Sequence, residues 1–241
     1  MNHKFRPPIV WITGASRGIG KEIALQFSYI GCKVALSSTS PRDLIIVKKL
    51  ITKLGGTAEV FRCDLTKEKE VKSAYRAIEK IFGSVDVLVN DAGVTSFNSF
   101  ETTTLKEFDN ILDVNLRAAF ICTKLVLPAM VKNREGWIFN IASVVALKTF
   151  CNSSAYTAAK AGLNGMSRVV REEVRKHNIK VVTVFPGATA TEMWDKKNLA
   201  KFSKRMMNPA TVAEAILNVF KSNREGYVEE LVIRPISGDI D

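Results

Sequence analysis

The sequence predicts one α/β domain over residues 1–241, a doubly wound parallel sheet of about seven strands flanked by helices. Three observations predict it. Short β-branched runs alternate with longer amphipathic segments, the pattern of repeated βαβ units. No Pro/Gly/Ser-rich stretch, low-complexity tract or internal repeat divides the 241 residues into separate units. With 46% hydrophobic and 24% charged residues, the chain can bury a core and lacks the composition of a disordered one.

Strands are expected at Ile9 to Thr13, Lys33 to Ser37, Ala58 to Arg62, Val85 to Asn90, Trp137 to Ile141, Lys180 to Phe185 and Glu230 to Ile233. Helical segments separate them. Lys21 to Ile30 follows the first strand, and Leu105 to Val131 carries apolar residues at Phe108, Ile111, Leu112, Leu116 and Phe120. Ser154 to Arg175 is a third. Right-handed crossovers between parallel strands wind such a chain in both directions from the centre. Ligands then bind at the carboxyl ends of the strands, where the strand order reverses.

Composition also excludes some functions. The apolar run Ile9 to Ile12 is too short for a signal-peptide core or a membrane span, so a cytoplasmic protein with no membrane partner is expected. Cys32, Cys63, Cys122 and Cys151 lie far apart without a CxxC pair, which fits reduced, mostly buried thiols rather than disulfides or zinc. The two histidines, His3 and His177, support neither a Ser-His-Asp triad nor a metal site. Lys and Arg are dispersed despite the net charge of +11, so an anionic cofactor or acidic partner explains the charge better than nucleic acid does.

Directly after the first strand comes Thr13-Gly14-Ala15-Ser16-Arg17-Gly18-Ile19-Gly20, opening a helix. Gly14 permits a tight turn, Gly18 a close approach of backbone to a pyrophosphate, and Gly20 close helix packing. The helix N-terminus supplies free N–H groups and positive dipole. The spacing G-x-x-x-G-x-G differs from the commoner dinucleotide fingerprint, and no Lys-Ser/Thr ending marks a P-loop. A glycine-rich turn without a ligand stays open on this segment alone.

The second strand ends in Ser37-Ser38-Thr39-Ser40-Pro41-Arg42, with no carboxylate before Asp43. A carboxylate there would take a ribose 2′-hydroxyl and repel a 2′-phosphate. Ser38, Thr39, Arg42 and Arg17 instead form a donor-rich cationic pocket, which favours NADP(H) over NAD(H). Asp64, after the third strand, either meets adenine or caps the next helix.

Ser143 follows the fifth strand, and 13 residues later stands Tyr156, with Lys160 four positions beyond it on the same helix face. A neighbouring ammonium lowers the pKa of a phenol, which otherwise titrates near 10. Tyr156 can then give a proton to a carbonyl oxygen receiving hydride, with Ser143 bonded to the same oxygen. Taken alone, Tyr-x-x-x-Lys is an ordinary solvated helix face. Its weight comes from coinciding with Ser143 and the glycine turn.

Together TGASRGIG at 13–20, NDAG at 90–93, Asn115, Ser143, YTAAK at 156–160 and PGATAT at 186–191 resemble the short-chain dehydrogenase/reductase family over nearly the whole chain. The resemblance implies a Rossmann-like fold and a homo-oligomer, tetramer or dimer. It implies that Ser16, Ile19, Leu65, Ala92, Pro186 and Gly187 border the dinucleotide with the residues already named, that Asp64 contacts adenine, and that Asn90 and Gly93 border the adenosine ribose. Asn115 would help hold a relay water with Lys160, Lys160 the cofactor ribose, and Thr189 and Thr191 the nicotinamide. Asp91 stands where the family usually has a second Asn, which is expected to alter a strand-bridging hydrogen bond.

Within the family the chain looks like a 3-oxoacyl-acyl-carrier-protein reductase, and Lys132, Arg134, Arg175, Lys176 and Lys180 are expected beside the site mouth, where they could steer an acidic carrier. The stretch Glu229 to Asp239, with Met193-Trp194, resembles sepiapterin reductases and other small-carbonyl reductases instead. A non-catalytic dinucleotide-binding protein is the alternative from another class. Residues 188–207 are expected to form a substrate lid, with Met193, Trp194, Leu199, Phe202 and Met206 on an apolar pocket.

Overall fold

Seven parallel strands form one sheet in the order β3-β2-β1-β4-β5-β6-β7 in the computed structural model, which describes residues 6–222 and 225–240. His3 lies outside the described residues. The strands are β1 (Ile9–Thr13), β2 (Lys33–Ser37), β3 (Thr57–Val60), β4 (Val87–Asn90), β5 (Gly136–Ile141), β6 (Ile179–Pro186) and β7 (Glu230–Ile233). Each lies at or within a few residues of its expected position, because a strand covered on both faces must be nearly continuous in apolar residues.

Alternate strand residues feed two cores. Val10, Ile12, Val34, Leu36 and Phe139 pack on one face, under α1 (Gly18–Tyr29), α2 (Pro41–Lys53) and α8 (Pro209–Lys221). Ile9, Trp11, Ala35, Leu88 and Ile138 pack on the other, under α3 (Glu68–Ile81), α5 (Ala118–Asn133) and α6 (Ser154–Val174). Local chemistry sets the helix starts. Ser40 caps α2 ahead of Pro41, and Asn208 caps α8 ahead of Pro209.

The helix expected over Leu105 to Val131 is interrupted. After α4 (Leu105–Leu112), a π-helical turn spans Asp113–Arg117 before α5 resumes the run. By length and composition Leu105–Asn133 could cross a membrane, yet its Ile111, Cys122, Val126 and Met130 are buried within the fold. Cys32, Cys63 and Cys122 are buried free thiols and Cys151 an exposed one, in line with the expectation of reduced, mostly buried cysteines.

The strand order reverses between β1 and β4, whose ends are tied together there. Thr13 Oγ1 accepts the backbone N–H of Asp91 at 3.1 Å and of Ala92 at 3.3 Å. Side chains continue the tie across the sheet. Asn90 Nδ2 donates to Asn140 Oδ1 at 2.7 Å, and Asn140 Nδ2 donates to Ser167 Oγ at 2.8 Å, clamping β4, β5 and α6. The expected effect of Asp91 on strand bridging is therefore corrected, since Asn90 makes the bridge and Asp91 faces elsewhere.

Candidate active site

A cavity of about 540 Å³ opens at the carboxyl ends of the strands. Its floor is the glycine-rich turn. A Cβ on Gly14 would lie 2.8 Å from the backbone N and Cα of Ala92, so only glycine lets β1 and the 91–93 segment approach this closely. Gly18 has φ of +55°, and α1 begins after Arg17 without a side-chain cap or an acidic residue in its first turn. The Gly20 N–H is taken by the Asp91 carboxyl, and the N–H groups ahead of it with the positive helix end face the cavity, the arrangement that binds phosphate.

Of the residues expected to border the dinucleotide, Gly14, Ser16, Arg17, Gly18, Ile19, Ser38, Thr39, Asp64, Leu65, Ala92, Gly93, Pro186, Gly187, Thr189 and Thr191 line this cavity. Gly20 lies behind the wall, where a Cβ would meet Gly14 O and Asp91 Oδ2 at 2.6 Å. Two other expectations are corrected. Arg42 is exposed on the first turn of α2 and does not line the cavity, which leaves Arg17, Ser38 and Thr39 of that group on its wall. Asn90 is buried in the strand clamp rather than at a ribose site. Asp64 Oδ1 accepts from Thr66 N and Oγ1, a turn ahead of α3, and these bonds hold its carboxyl below the usual range while it still borders the cavity.

Tyr156, Lys160 and Ser143 converge on one side of the cavity. Ser143 follows β5 in extended backbone and opens a 3-10 turn at Val144–Ala146. Its hydroxyl bonds to the Tyr156 oxygen. Lys160 is buried, donates from Nζ to Ile141 O at 2.7 Å, and lies 5.6 Å from the Tyr156 ring centre. Burial pushes the Tyr156 phenol up to about 12, against the lowering contributed by Ser143. The expected lowering by Lys160 is corrected here: the loss of solvent in the dry wall raises the phenol, and the nearby Asp91 carboxyl adds to the rise.

Asn115 occupies the π-helical turn. Its Nδ2 donates to Ile111 O and Val94 O, at 2.9 and 2.8 Å, so the loosened turn is held by the side chain. Its Oδ1 is buried without a partner among the described residues and sits 2.8 Å from where a Cβ on Gly93 would lie. Thr95 Oγ1 is also buried and unpartnered among the described residues. Thr95 lines the cavity, where a polar ligand would satisfy it, whereas Asn115 stands behind Gly93 and does not line it.

The family profile matching residues 8–201 is described as short chain dehydrogenase. The chain belongs to the short-chain dehydrogenase family. A sepiapterin reductase of Chlorobaculum tepidum is 33% identical over 96% of this chain and 98% of its own. A 3-oxoacyl-[acyl-carrier-protein] reductase of Staphylococcus epidermidis is 35% identical over 76% of this chain and 75% of its own. The crystal structure of a metagenomic short-chain oxidoreductase in complex with NADP is 31% identical, covers 95% of this chain and 96% of its own, and superposes with a TM-score of 0.84. Like other members, this short-chain dehydrogenase is an oxidoreductase with a dinucleotide-binding fold.

Several wall residues of this short-chain dehydrogenase were not among the expected site residues. Phe97, Phe150, Asp239 and Ile240 line the cavity, brought there by loops and by the C-terminal tail. Phe97 stacks on Trp194 with ring centres 6.1 Å apart. Of the expected lid residues, Met193 and Trp194 line the cavity while Leu199 and Phe202, on α7 (Lys196–Phe202), and Met206 beyond it do not. The basic residues expected at the site mouth lie elsewhere. Lys132 and Arg134 precede β5, and Arg175, Lys176 and Lys180 flank the start of β6, at the amino ends of parallel strands whose carboxyl ends bear the cavity.

Proposed function

We propose that the protein is an NADP(H)-dependent carbonyl reductase and secondary-alcohol dehydrogenase in which Tyr156 exchanges the proton. One observation carries the reading: Tyr156 and Ser143 are hydrogen-bonded to each other on the wall of the same cavity whose floor is the glycine-rich turn. When bound, the reduced nicotinamide supplies hydride to the carbonyl carbon. Tyr156 is a protonated phenol at neutral pH, and it donates to the oxygen as negative charge develops there. Ser143 fixes that oxygen. Lys160, held on Ile141 O, keeps a positive charge beside the phenol and within reach of ribose hydroxyls, while Asn115 offers Oδ1 to a relay water.

The glycine turn, Ser16, Ile19, Leu65, Ala92, Gly93, Pro186, Gly187, Thr189 and Thr191 would hold the dinucleotide, and Asp64 its adenine. Arg17, Ser38 and Thr39, with no carboxylate among them, support a 2′-phosphate and hence NADP(H). The NADP complex of the related oxidoreductase supports the same choice.

For substrate, a compact carbonyl compound is the better-supported reading. Phe97, Phe150, Met193, Trp194 and the tail residues Asp239 and Ile240 wall the cavity, and a sepiapterin reductase is 33% identical over 96% of this chain. An acyl-carrier-bound 3-oxoacyl group is the second reading, favoured by the carrier-protein reductase at 35% identity. NADPH consumption with sepiapterin, diketones, simple aldehydes and acetoacetyl thioesters separates the two. The reading also carries a homo-oligomer, tetramer or dimer, which light scattering measures, and a cytoplasmic setting, in keeping with free thiols.

A further inference from the structure

Asp91 follows β4 directly, and its side chain turns back onto the glycine-rich turn. Its carboxylate accepts the Gly20 backbone N–H, and a Cβ on Gly20 would lie 2.6 Å from its Oδ2. Its own N–H is held by Thr13 Oγ1 at 3.1 Å, so the residue is fixed at both ends. Lys160 packs on the same segment: its Nζ lies 3.6 Å from where a Cβ on Gly93 would be. Lys160 is buried, and Ile141 O is the acceptor for its Nζ. An ammonium so desolvated tends to lose its proton unless a negative charge offsets the cost.

The other charged groups around this wall are already engaged or solvated. Asp64 is bonded to Thr66 and paired with Lys67, and Asp239 is paired with Arg234 and Lys148. Glu192, beside Gly18, and Arg17 are exposed. Tyr156 is neutral up to high pH. Among the described residues no side chain donates to the Asp91 carboxylate, which leaves its charge to act through space.

We propose that Asp91 is a positioning residue for the Tyr156–Lys160 pair: its carboxylate, braced on the glycine-rich turn, is the counter-charge that keeps Lys160 an ammonium. The inference rests on the reading of Lys160 as the cation beside the proton donor. Electrostatics on both partners agree with it. Burial pushes Lys160 down to about 8, with Asp91 opposing the fall. Burial pushes Asp91 up to about 7, with Lys160 opposing the rise. The two groups therefore titrate as a coupled pair around neutral pH. The glycine turn thus does more than cradle an anion. Through Asp91 it sets the charge beside the phenol.

The test uses the cofactor-free protein. Brief exposure to acetic anhydride over a neutral-to-alkaline pH series, with Lys160 acetylation quantified by peptide mass spectrometry, reads the midpoint of its deprotonation. The midpoint is expected near 8 in the wild type, and lower by about 1 pH unit in Asp91→Asn. An unchanged midpoint would overturn the proposal. The reciprocal measurement needs no change at Asp91: in Lys160→Met, the Asp91 carboxyl ¹³C titration should move upward from about 7, and an unmoved titration would equally overturn it. Neither readout involves turnover. A wild type that consumes no NADPH would defeat the reductase reading instead, and the two failures are told apart.

Discussion

The Lys160 ammonium is bonded at 2.7 Å to the Ile141 carbonyl at the end of β5 and stands 5.6 Å from the centre of the Tyr156 ring, one helical turn earlier. Strand end and helix face are thereby joined at Tyr156. The phenol gains a fixed position, with its hydroxyl bonded to Ser143 on the cavity wall.

Removing that hydroxyl should stop the chemistry and spare cofactor binding. Tyr156→Phe is expected to lower kcat by roughly 10²- to 10⁴-fold, the usual share of a general acid, with the NADPH dissociation constant nearly unchanged in a fluorescence titration. Retained turnover would sink the mechanism.

The direction of reaction should depend on pH through the same group. With its phenol pushed up to about 12, Tyr156 is ready to donate at neutral pH but must ionise to act as a base. Alcohol oxidation should therefore climb as the medium becomes alkaline, while reduction already runs at neutral pH. A kcat/KM profile for oxidation that stayed flat into the alkaline range would contradict this assignment.

Stability should carry the signature of Asp91. Its folded pKa, about 7, lies above the ordinary 3.8, so the native state holds a proton that the unfolded chain has lost. That contribution is fully present below 3.8 and disappears as pH rises through about 7. Urea midpoints of the wild type should fall across this window relative to Asp91→Asn, and parallel curves for the two proteins would argue against the shift.

In the proposed reading Arg17 is the cation that meets the 2′-phosphate, and a charged hydrogen bond contributes about 1.5–3 kcal/mol. Arg17→Glu should cut the preference for NADPH over NADH by roughly 10- to 100-fold in kcat/KM. An unchanged ratio would show that other groups read the phosphate.

Gly14→Ala tests the floor of the site. The backbone there has φ of +72°, and the added methyl would lie 2.8 Å from Ala92 backbone atoms. Strain and overpacking together should cost about 2 kcal/mol or more, visible as a lower denaturant midpoint. A variant as stable as the wild type would mean that the two loops can separate freely.

Strand positions were readable because a doubly covered parallel strand has to be apolar throughout, as β1, β4 and β5 are. The glycine turn and the Tyr156–Lys160 pair were readable for a related reason: each is local, one a matter of backbone freedom and the other of helical spacing. The break at Asp113–Arg117 was not, because Leu105 to Asn133 keeps its apolar pattern through the π turn, and the side-chain bonds of Asn115 that hold it reach Val94, 21 residues away.

By itself, then, the sequence determined the parallel sheet, the anion cradle after β1 and the pairing of Tyr156 with Lys160, all encoded within short windows. Only the tertiary structure decided which charges face the cavity. It turned Arg42 to solvent and set Lys132, Arg134 and Lys180 at the opposite ends of the strands. It brought Asp239 from the tail into the wall and Asp91 against Gly20. Strand direction and loop packing govern these placements, and both arise from contacts between segments far apart in the chain.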